Sequence, residues 1–380
     1  YFSMHHEKNL DCIEEAEFIS RIDFESPGGI KEKLSQSLKL LYSFEARKKI
    51  DSLLKREKPD LAHLHSIYHQ ISPSIIHSLK KHGIPIVMTL HDYKMVCPAY
   101  SMVRRGQVCE ECKGGRYYRC LFNRCTKESY AKSMLNAIEM YLHHRILSIY
   151  GSVDVFITPS RFMLNKLKGM GFRGFLVNLT YSLDPRECRP EYVSDNRTIC
   201  YFGRLSSEKG IYTLFQAIKG LNVNLKVIGA GPAESALRAR AREEGMTNVR
   251  FLGYLAGDAL KDEVKRSSMV IVPSEWYENY PNSVMEAFAL GKPVIGARIG
   301  GIPEMVKDGE TGFTFSSGNA DELRSKIRLL LDKPGLIIKL GKNARRFIEE
   351  ELNPDRHYRE LMKIYQTAKE RRSLSALRNH

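Results

Sequence analysis

The sequence lacks long apolar stretches. None of its apolar runs approaches the ~20 residues that a transmembrane helix needs, and its first residues lack the charged, apolar and small-residue regions of a secretory signal peptide. The eight cysteines cluster locally instead of being spread like those of a secreted disulfide scaffold. We therefore expect a cytoplasmic protein whose only contact with a membrane would be peripheral, on its cytoplasmic face.

Acidic residues are scarce relative to basic ones. The chain has 59 lysines and arginines but 44 aspartates and glutamates, which gives a formal charge of +15 and a pI near 9.3. Such a surface attracts anions, and nucleic acid, an anionic membrane and a phosphorylated substrate all qualify. Net charge alone does not separate these three partners.

The bulk composition excludes both a disordered chain and a single small core. Hydrophobic residues make up 43% and charged residues 27% of the 380 residues, as in ordinary globular proteins. Because one domain usually has ~100–200 residues, we expect two domains of similar size.

Strands and helices are predicted to alternate in both halves. The first half has apolar runs at 84–90 and 153–158 and an amphipathic stretch at 30–54. In the second half we predict four strands, each followed by Gly or Pro and a helical pattern, at 198–202, 224–228, 269–272 and 293–297. Such crossovers produce parallel sheets. We therefore predict an α/β protein with two Rossmann-like, doubly wound parallel-sheet domains that face a cleft.

The domain limits follow from turn-forming residues clustered at 178–197, which mark the predicted linker. The predicted N-terminal domain spans 1–185 and contains a Cys-rich insertion at about 97–126. The predicted C-terminal domain spans 186–354, and the predicted terminal helix, 355–380, packs back toward the first domain. The chain opens with Tyr1-Phe2-Ser3-Met4, which reads like the end of a strand. We therefore expect that the first strand-helix unit of the N-terminal domain is missing.

A basic loop with glycine follows the predicted strand 198–202. It contains Gly203, Arg204 and Lys209 and leads into a helix near position 211. Free backbone N–H groups at the helix start and two cationic side chains would cradle a diphosphate. A solvated basic loop is an equally good interpretation.

Gly229 follows the next predicted strand and would let a flat ring approach the backbone. A plain tight turn is the alternative, because the dinucleotide-binding fingerprint lacks its third glycine here.

Two carboxylates flank the start of a predicted helix in the second half. Asn282 or Ser283 is a suitable N-cap and Gly291 a suitable helix end, so Glu278 lies in the preceding loop and Glu286 on the helix. Two carboxylates so placed can hold two polyol parts of one ligand while the helix N-terminus between them holds an anion. A nucleotide sugar has this layout. The alternative for Glu286 is a capping box with Ser283.

Four cysteines lie within 17 residues of the first half, at Cys109, Cys112, Cys120 and Cys125. Two close pairs separated by Gly114-Gly115 suit the four thiolate ligands of tetrahedral Zn²⁺, so we predict a structural zinc site. An iron–sulfur cluster and free thiols in an insertion are the alternatives.

Basic and aromatic residues surround these cysteines, and a predicted helix at 129–149 follows them. Side chains such as Arg116, Tyr117 and Arg119 can bind phosphate-bearing material, and the helix carries apolar residues beside basic ones, as membrane-surface helices do. A solvated positive face and packing against the domain core are the alternatives.

The chain resembles the retaining glycosyltransferases of the GT-B group called family 4. Four motifs between about 198 and 315 carry the resemblance: Gly203-Arg204 with Lys209-Gly210, the pair Glu278 and Glu286, Gly291-Lys292-Pro293-Val294, and Gly300-Gly301-Ile302-Pro303-Glu304. The N-terminal half matches more loosely, through His63-Leu64-His65 and Thr89-Leu90-His91-Asp92.

The resemblance implies a role for each matching residue. Glu278 and His91 would be catalytic, with Glu278 at the transferred sugar and His91 facing it from the other domain. The donor would be bound by Gly203, Arg204, Lys209, Gly229, Tyr254, Asn282, Ser283 and Glu286. Among these, Arg204 and Lys209 would bind the diphosphate and Glu286 the ribose. The sequence departs from the family pattern directly after Glu278, where it has Asn279-Tyr280-Pro281 and many relatives have Pro-Phe-Gly. This departure concerns recognition of the transferred sugar.

The function implied is transfer of a hexose-type sugar with retention of configuration, in the synthesis of cell-surface polysaccharide or lipopolysaccharide. The partners would be a UDP- or GDP-type sugar donor, a glycan or lipid-linked acceptor and an anionic membrane, with no nucleic acid and no catalytic cofactor. The alternatives are a sugar-nucleotide epimerase on the same scaffold and a zinc-containing nucleic-acid-binding protein.

Overall fold

The computed structural model describes residues 1–21, 29–194 and 196–378. Outside them lie Asp195 of the predicted linker, the last two residues of the predicted terminal helix and residues 22–28 of the first predicted domain. Within the described ranges, no helix combines the length and the apolar character needed to cross a membrane.

Two parallel sheets frame the molecule. The first has the strand order β1-β2-β5-β6 and the second the order β12-β11-β10-β7-β8-β9, while β3 and β4 form a short antiparallel hairpin in the Cys-rich insertion. The strands are β1 Ala62–His65, β2 Ile86–Thr89, β3 Val103–Arg104, β4 Gln107–Val108, β5 Val155–Thr158, β6 Leu176–Asn178, β7 Thr198–Phe202, β8 Asn224–Ile228, β9 Val249–Gly253, β10 Met269–Val272, β11 Val294–Ala297 and β12 Gly312–Phe315. The predicted α/β class with parallel sheets is confirmed.

Helices cover both sheets. They are α1 Ile30–Leu41, α2 Phe44–Glu57, α3 Ile75–Lys81, α4 Tyr118–Phe122, α5 Tyr130–Tyr141, α6 Arg161–Gly169, α7 Ile211–Ile218, α8 Glu234–Glu243, α9 Gly257–Lys265, α10 Asn282–Ala289, α11 Ile302–Met305, α12 Ala320–Leu331, α13 Pro334–Glu351 and α14 Pro354–Arg378. With helices on its faces, the central strand β10 is buried along its whole length, as is usual for a parallel strand.

The second sheet is doubly wound, and its strand order reverses between β7 and β10. Three of its four predicted strands have the predicted limits, and the fourth begins one residue later, at Val294, after a proline that has no N–H to donate. In open α/β sheets a ligand binds outside the carboxyl ends of the strands at such a reversal. The fold therefore predicts a ligand-binding site at the loops that follow β7, β8 and β10.

The predicted helices differ from the observed ones at their limits. The stretch 30–54 is two helices, because the hydroxyl of Ser43 accepts a hydrogen bond from the N–H of Ala46 and starts α2. The helix predicted at 129–149 ends as α5 at Tyr141 and continues as a π-helical turn over Leu142–Ile146. These breaks depend on local hydrogen bonds that a hydrophobic periodicity does not report.

Helix α14 packs against the first sheet. Its buried Ala368 joins a hydrophobic cluster with Val87 and Val155 of that sheet. The guanidinium of Arg372 lies 2.9 Å from the carboxylate of Asp154, and both side chains are largely buried. The C-terminal end of the described chain is therefore part of the first structural unit.

Candidate active site

One cavity of about 580 Å³ lies at the carboxyl ends of β7, β8 and β10, at the reversal of strand order. It is lined by the loops that follow these three strands and β9, and by the first turns of α9 and α10. Nine residues that the resemblance assigns to the donor or the transferred sugar line it: Gly203, Arg204, Lys209, Gly229, Tyr254, Glu278, Asn282, Ser283 and Glu286. The structure therefore brings these nine together, although they come from four separate segments of the sequence.

Two glycines let the loops around this cavity approach one another. Gly229 has a φ of +135°, and a Cβ there would overlap the carbonyl oxygen of Gly203. Gly210 has a φ of +68°, and a Cβ there would overlap the carbonyl oxygen of Pro273. Any other residue would be strained at these φ values and would push the neighbouring loops apart.

An ion pair stands inside the cavity. The ammonium of Lys209 lies 2.7 Å from Oε1 of Glu278, and the hydroxyl of Ser274 donates to the same oxygen over 2.6 Å. The lysine nitrogen is also 4.9 Å from the centre of the Trp276 ring, within cation–π range. Only 8% of the Glu278 side chain is exposed. The carboxylate is therefore fixed in one orientation and keeps Oε2 available.

The N-terminus of α10 opens into the cavity. Asn282 is the first residue of this helix, its N-cap is Pro281, and no side chain caps it. The expected N-cap at Asn282 or Ser283 is therefore wrong, and the capping box between Ser283 and Glu286 is absent. Uncapped N–H groups at a helix start, combined with the helix dipole, favour an anion at this point. Gly291, with a φ of +73°, follows the helix end as predicted.

Glu286 points into the cavity from the second turn of α10. Burial raises the pKa of this carboxyl above its ordinary value, and the nearby Lys261 offsets part of that effect. In the described part of the chain, no side chain or backbone N–H donates a hydrogen bond to it. A half-buried carboxylate of this kind gains most from a ligand that donates hydroxyl groups.

Arg204 and Tyr254 form the outer rim of the cavity. Both side chains are exposed, and Tyr254 is 76% exposed. The backbone carbonyl of Arg204 accepts a hydrogen bond of 2.8 Å from the hydroxyl of Tyr201, which holds the loop while the guanidinium stays in solvent. Next to Tyr254, the cavity wall is formed by Leu255 and Leu260, which offer apolar surface to a flat ring.

His91 lies outside this cavity, on the loop that follows β2. Its Nε2 is 2.9 Å from Nδ1 of His65, and its Nδ1 is 2.7 Å from the hydroxyl of Tyr181. Burial and the neighbouring His65 lower the pKa of His91, which favours the neutral ring. Because both ring nitrogens have partners, His91 must release one of them to bind a sugar. The amide of Asn279, next to Glu278, reaches the carbonyl oxygen of Leu90 over 3.4 Å, which connects the two loops.

The two structural units contact each other through residues of the second unit that follow Glu278. The carboxylate of Glu304 accepts hydrogen bonds from the backbone N–H groups of Arg161 and Phe162 at the start of α6, over 2.9 and 2.6 Å. The hydroxyl of Ser160 lies 3.0 Å from the amide oxygen of Asn279. Glu304 of the second unit therefore adds to the N-cap of α6, Ser160, whose hydroxyl accepts a hydrogen bond from the N–H of Met163.

The structure does not form the zinc site predicted at Cys109, Cys112, Cys120 and Cys125. Among the residues that the structure describes, no group of three or more His, Cys, Asp or Glu side chains is arranged to hold a metal ion. Instead Cys112 and Cys120 are buried with Tyr117 and Met140 in a small hydrophobic cluster. The thiol of Cys125 hydrogen-bonds to Cys120 and lowers the pKa of the Cys120 thiol. All four are free thiols.

The Cys-rich insertion also contacts the second unit, through Glu110. Its Oε1 accepts a hydrogen bond of 2.7 Å from the hydroxyl of Tyr277 and lies 2.6 Å from the ammonium of Lys166. Tyr277 directly precedes Glu278 in the sequence. The insertion therefore stands at the edge of the cleft beside the candidate site.

Two family matches cover most of the chain. The family described as Glycosyltransferase Family 4 matches residues 21–176, and the family described as Glycosyl transferases group 1 matches residues 189–347. Together, the two matches support a group 1 glycosyltransferase. The second match contains every residue that lines the cavity.

Curated relatives of this group 1 glycosyltransferase include the capsular polysaccharide biosynthesis glycosyltransferase CapM of Staphylococcus aureus. It is 26% identical over 79% of this chain and 78% of its own length. An uncharacterized glycosyltransferase of Methanocaldococcus jannaschii is 30% identical over 39% of this chain and 42% of its own length. The chain matches 42%, 57% and 64% of the lengths of three such relatives, or about half.

Solved structures of glycosyltransferases share the fold. Sucrose-phosphate synthase from Thermosynechococcus elongatus has a TM-score of 0.70 at 18% identity, over 96% of this chain and 87% of that one. HepE from Anabaena, crystallised with UDP and glucose, has a TM-score of 0.61 at 16% identity, over 85% and 81%. These likenesses confirm the predicted GT-B fold.

Proposed function

We propose that this protein transfers a hexose-type sugar from a UDP- or GDP-sugar donor to a glycan or lipid-linked acceptor, with retention of configuration, in the synthesis of a cell-surface polysaccharide. One observation carries the proposal: nine residues that the family resemblance assigns to the donor or the transferred sugar surround one cavity at the strand reversal of a doubly wound sheet. Two similar proteins support it: HepE was crystallised with UDP and glucose, and CapM is a glycosyltransferase of capsular polysaccharide biosynthesis.

The cavity matches a nucleotide sugar part by part. The diphosphate would lie at the N-terminus of α10, where helix N–H groups, Lys209 and Arg204 supply positive charge. Glu286 would accept hydrogen bonds from the ribose hydroxyls, and Leu255 with Leu260 would contact the base. Glu278, fixed by Lys209, would accept hydrogen bonds from the transferred sugar.

The chemical step would use these charges to stabilise the leaving diphosphate. The bond between the anomeric carbon and the diphosphate oxygen breaks, and the acceptor hydroxyl forms a new bond on the same face of the sugar. A phosphate oxygen of the departing diphosphate takes the acceptor proton. Because the positive groups are in place before the reaction, they stabilise the developing charge without reorganisation. His91 would contact the sugar from the other unit after releasing His65 or Tyr181.

Thermal unfolding with a panel of UDP-, GDP- and ADP-sugars tests the donor site without an acceptor. A ligand that binds only the folded state at 100 times its Kd stabilises it by about 2.7 kcal/mol. We expect a higher Tm with one nucleotide class and no such gain in Lys209→Ala or Glu286→Ala. The matched controls, Lys339→Ala and Glu310→Ala, are exposed residues of the same unit and should respond like the parent. Equal gains in all variants, or none with any sugar nucleotide, would contradict the proposed site.

Product analysis separates transfer from the epimerase alternative. Incubation with the stabilising donor and a candidate acceptor should release the nucleoside diphosphate and give a product whose anomeric coupling, measured by NMR, matches the donor. An epimerised sugar still attached to its nucleotide would contradict the proposal. The family matches support neither the epimerase nor the nucleic-acid-binding alternative.

A further inference from the structure

An apolar and basic surface lies on α4, α5 and the turn that follows them, away from the donor cavity. We call it the aromatic-basic surface. Its apolar side chains are between 41% and 73% exposed: Tyr118, Phe122, Tyr130, Met134, Ile138 and Ile146. Single exposed apolar residues are normal, but six of them on two adjoining helices and the turn that follows are not.

Five of these six residues lie on α4 and α5, and the sixth lies on the turn that follows α5. Tyr130, Met134 and Ile138 follow one another at four-residue spacing along α5 and therefore share one face of that helix. The rings of Tyr118 and Phe122 lie 6.3 Å apart on α4. The two helices pack together, and the backbone N–H of Tyr118 lies 3.4 Å from the hydroxyl of Tyr141.

Basic side chains border the apolar ones. Exposed basic residues of the same region are Lys113, Arg116, Arg119, Arg124, Lys127, Lys132 and Arg145. The guanidinium of Arg119 lies 5.5 Å from the centre of the Tyr118 ring, and that of Arg124 lies 4.2 Å from the Tyr130 ring. Glu128 is the one exposed carboxylate between positions 113 and 146, because Glu139 is buried against Lys94. The surface is therefore strongly positive.

We propose that the aromatic-basic surface docks the protein onto an anionic lipid bilayer. Lysine and arginine would bind the headgroups while aromatic rings and aliphatic chains enter the boundary between headgroups and acyl chains. Nucleic acid would satisfy the positive charges and stack on the rings, but it has no acyl region for Met134, Ile138 and Ile146. The exposed aliphatic residues therefore favour a membrane.

Docking in this way would place the cleft beside the bilayer. The Cys-rich insertion carries α4 and also Glu110, whose carboxylate binds the hydroxyl of Tyr277 next to Glu278. A lipid-linked acceptor held in the bilayer would reach the cleft over this side. That last step rests on the proposed function, whereas bilayer binding itself does not.

Flotation of the full chain with lipid vesicles tests the surface. We expect binding to vesicles of phosphatidylglycerol and phosphatidylcholine at a ratio of about one to two, and little binding to phosphatidylcholine alone. The triple variant Phe122→Ser/Met134→Ser/Ile146→Ser and the triple variant Arg119→Gln/Arg124→Gln/Lys132→Gln should each lower the partition coefficient at least about tenfold. Raising the salt well above ~0.1 M should weaken the binding of the parent.

Matched variants on other elements serve as controls. Leu374→Ser/Leu377→Ser removes two exposed apolar residues of α14, and Lys333→Gln/Lys339→Gln/Arg346→Gln removes three exposed charges at and beside α13. These controls should bind vesicles like the parent, and all variants should keep the parent's Tm.

Three outcomes would overturn the proposal: equal binding to both kinds of vesicle, unchanged binding of the two surface variants, or binding of duplex DNA with none to vesicles. The Tm gain with a nucleotide sugar is a separate readout, so loss of vesicle binding with that gain intact would leave the donor site standing.

Discussion

Lys209 and Glu278 position each other before any ligand is present. Their separation of 2.7 Å, the second hydrogen bond from Ser274 and the low exposure of the carboxylate describe a pre-organised pair. Removing one partner of a largely buried pair leaves the other charge desolvated without compensation. We therefore expect Lys209→Ala to lose stability as well as donor binding, by about 1–3 kcal/mol, as measured by chemical denaturation without ligand. A loss no larger than that of Lys339→Ala would contradict this expectation.

Replacing the carboxyl of Glu286 should raise the stability of the protein at neutral pH but weaken its binding of the donor. Its pKa is raised in the folded state by burial, so the folded protein holds this proton more tightly than the unfolded chain. Stability from this group is thus present below its ordinary pKa near 4.5 and is lost as pH rises through the raised value. Glu286→Gln should therefore be more stable than the parent at neutral pH, and the difference should shrink toward pH 4.

The measurement is a series of thermal unfolding curves of parent and Glu286→Gln across that pH range, with Glu310→Gln as the exposed control. The same variant should lose the Tm gain with the nucleotide sugar, because an amide has one accepting oxygen and a donor NH2 where the carboxylate offers two accepting oxygens to the hydroxyl groups. Lower stability of Glu286→Gln at neutral pH would show that the carboxylate has a structural role instead.

Lys292 should make the free energy of unfolding depend on pH with the sign opposite to that expected for Glu286. The side chain is fully buried, its ammonium donates to the carbonyl oxygen of Lys265, and burial lowers its pKa to about 8 from 10.5. Between these values the unfolded chain holds a proton that the folded protein has released, so stability rises with pH in this window. We expect Lys292→Met to flatten that rise, by at most about 3 kcal/mol, in denaturation curves at pH 8 and pH 10. An unchanged slope, matching that of the exposed control Lys339→Met, would contradict it.

At the scale of elements, the loop of Glu278 depends on the loop that carries Gly300. Gly300 has a φ of +62°, and a Cβ there would overlap the backbone of Glu278. Gly309 also has a positive φ, +75°, but a Cβ there would meet nothing within 4 Å. Gly309→Ala is therefore a control for backbone strain alone, of about 1 kcal/mol.

We expect Gly300→Ala to cost about 3 kcal/mol or more and to abolish the Tm gain with the nucleotide sugar, because it displaces Glu278. Gly309→Ala should retain that gain. Chemical denaturation and the ligand-induced Tm shift measure the two effects. Similar behaviour of the two variants would show that the contact with Glu278 is unimportant.

Elements that depend on local patterns could be predicted from the sequence. The strands β7, β8 and β10 have the predicted limits because each is a short apolar run before Gly or Pro. The start of α10 was wrong, since its sequence offers two good N-capping residues and the structure uses neither. The zinc prediction was wrong for a related reason: cysteine spacing does not report whether the thiols face one point or pack with Tyr117 and Met140.

At the scale of the whole molecule, the resemblance named residues that the structure brings to one cavity, but it did not predict the contacts between the two units. Glu304 belongs to a recognised motif, yet only the structure shows that it caps α6 across the cleft. Tyr181, which holds His91 from 90 residues along the chain, had no motif signal. His65 belongs to a motif, but that motif did not indicate its contact with His91. Such long-range pairs require the packed chain, since no local periodicity encodes them.

The Glu304 contact gives the prediction that concerns the whole molecule. Two backbone N–H groups at the start of α6 depend on this carboxylate, and hydrogen bonds to a charged group contribute about 1.5–3 kcal/mol each. Glu304→Ala should therefore separate the two units, raise the radius of gyration measured by small-angle X-ray scattering and slow transfer more than donor binding. Glu310→Ala, an exposed glutamate six residues on, is the control. If the radius of gyration of Glu304→Ala matches that of Glu310→Ala, this contact does not hold the cleft closed. The other contacts between the units, Ser160 with Asn279 and Glu110 with Tyr277, then suffice together with the packing of α14 on the first sheet.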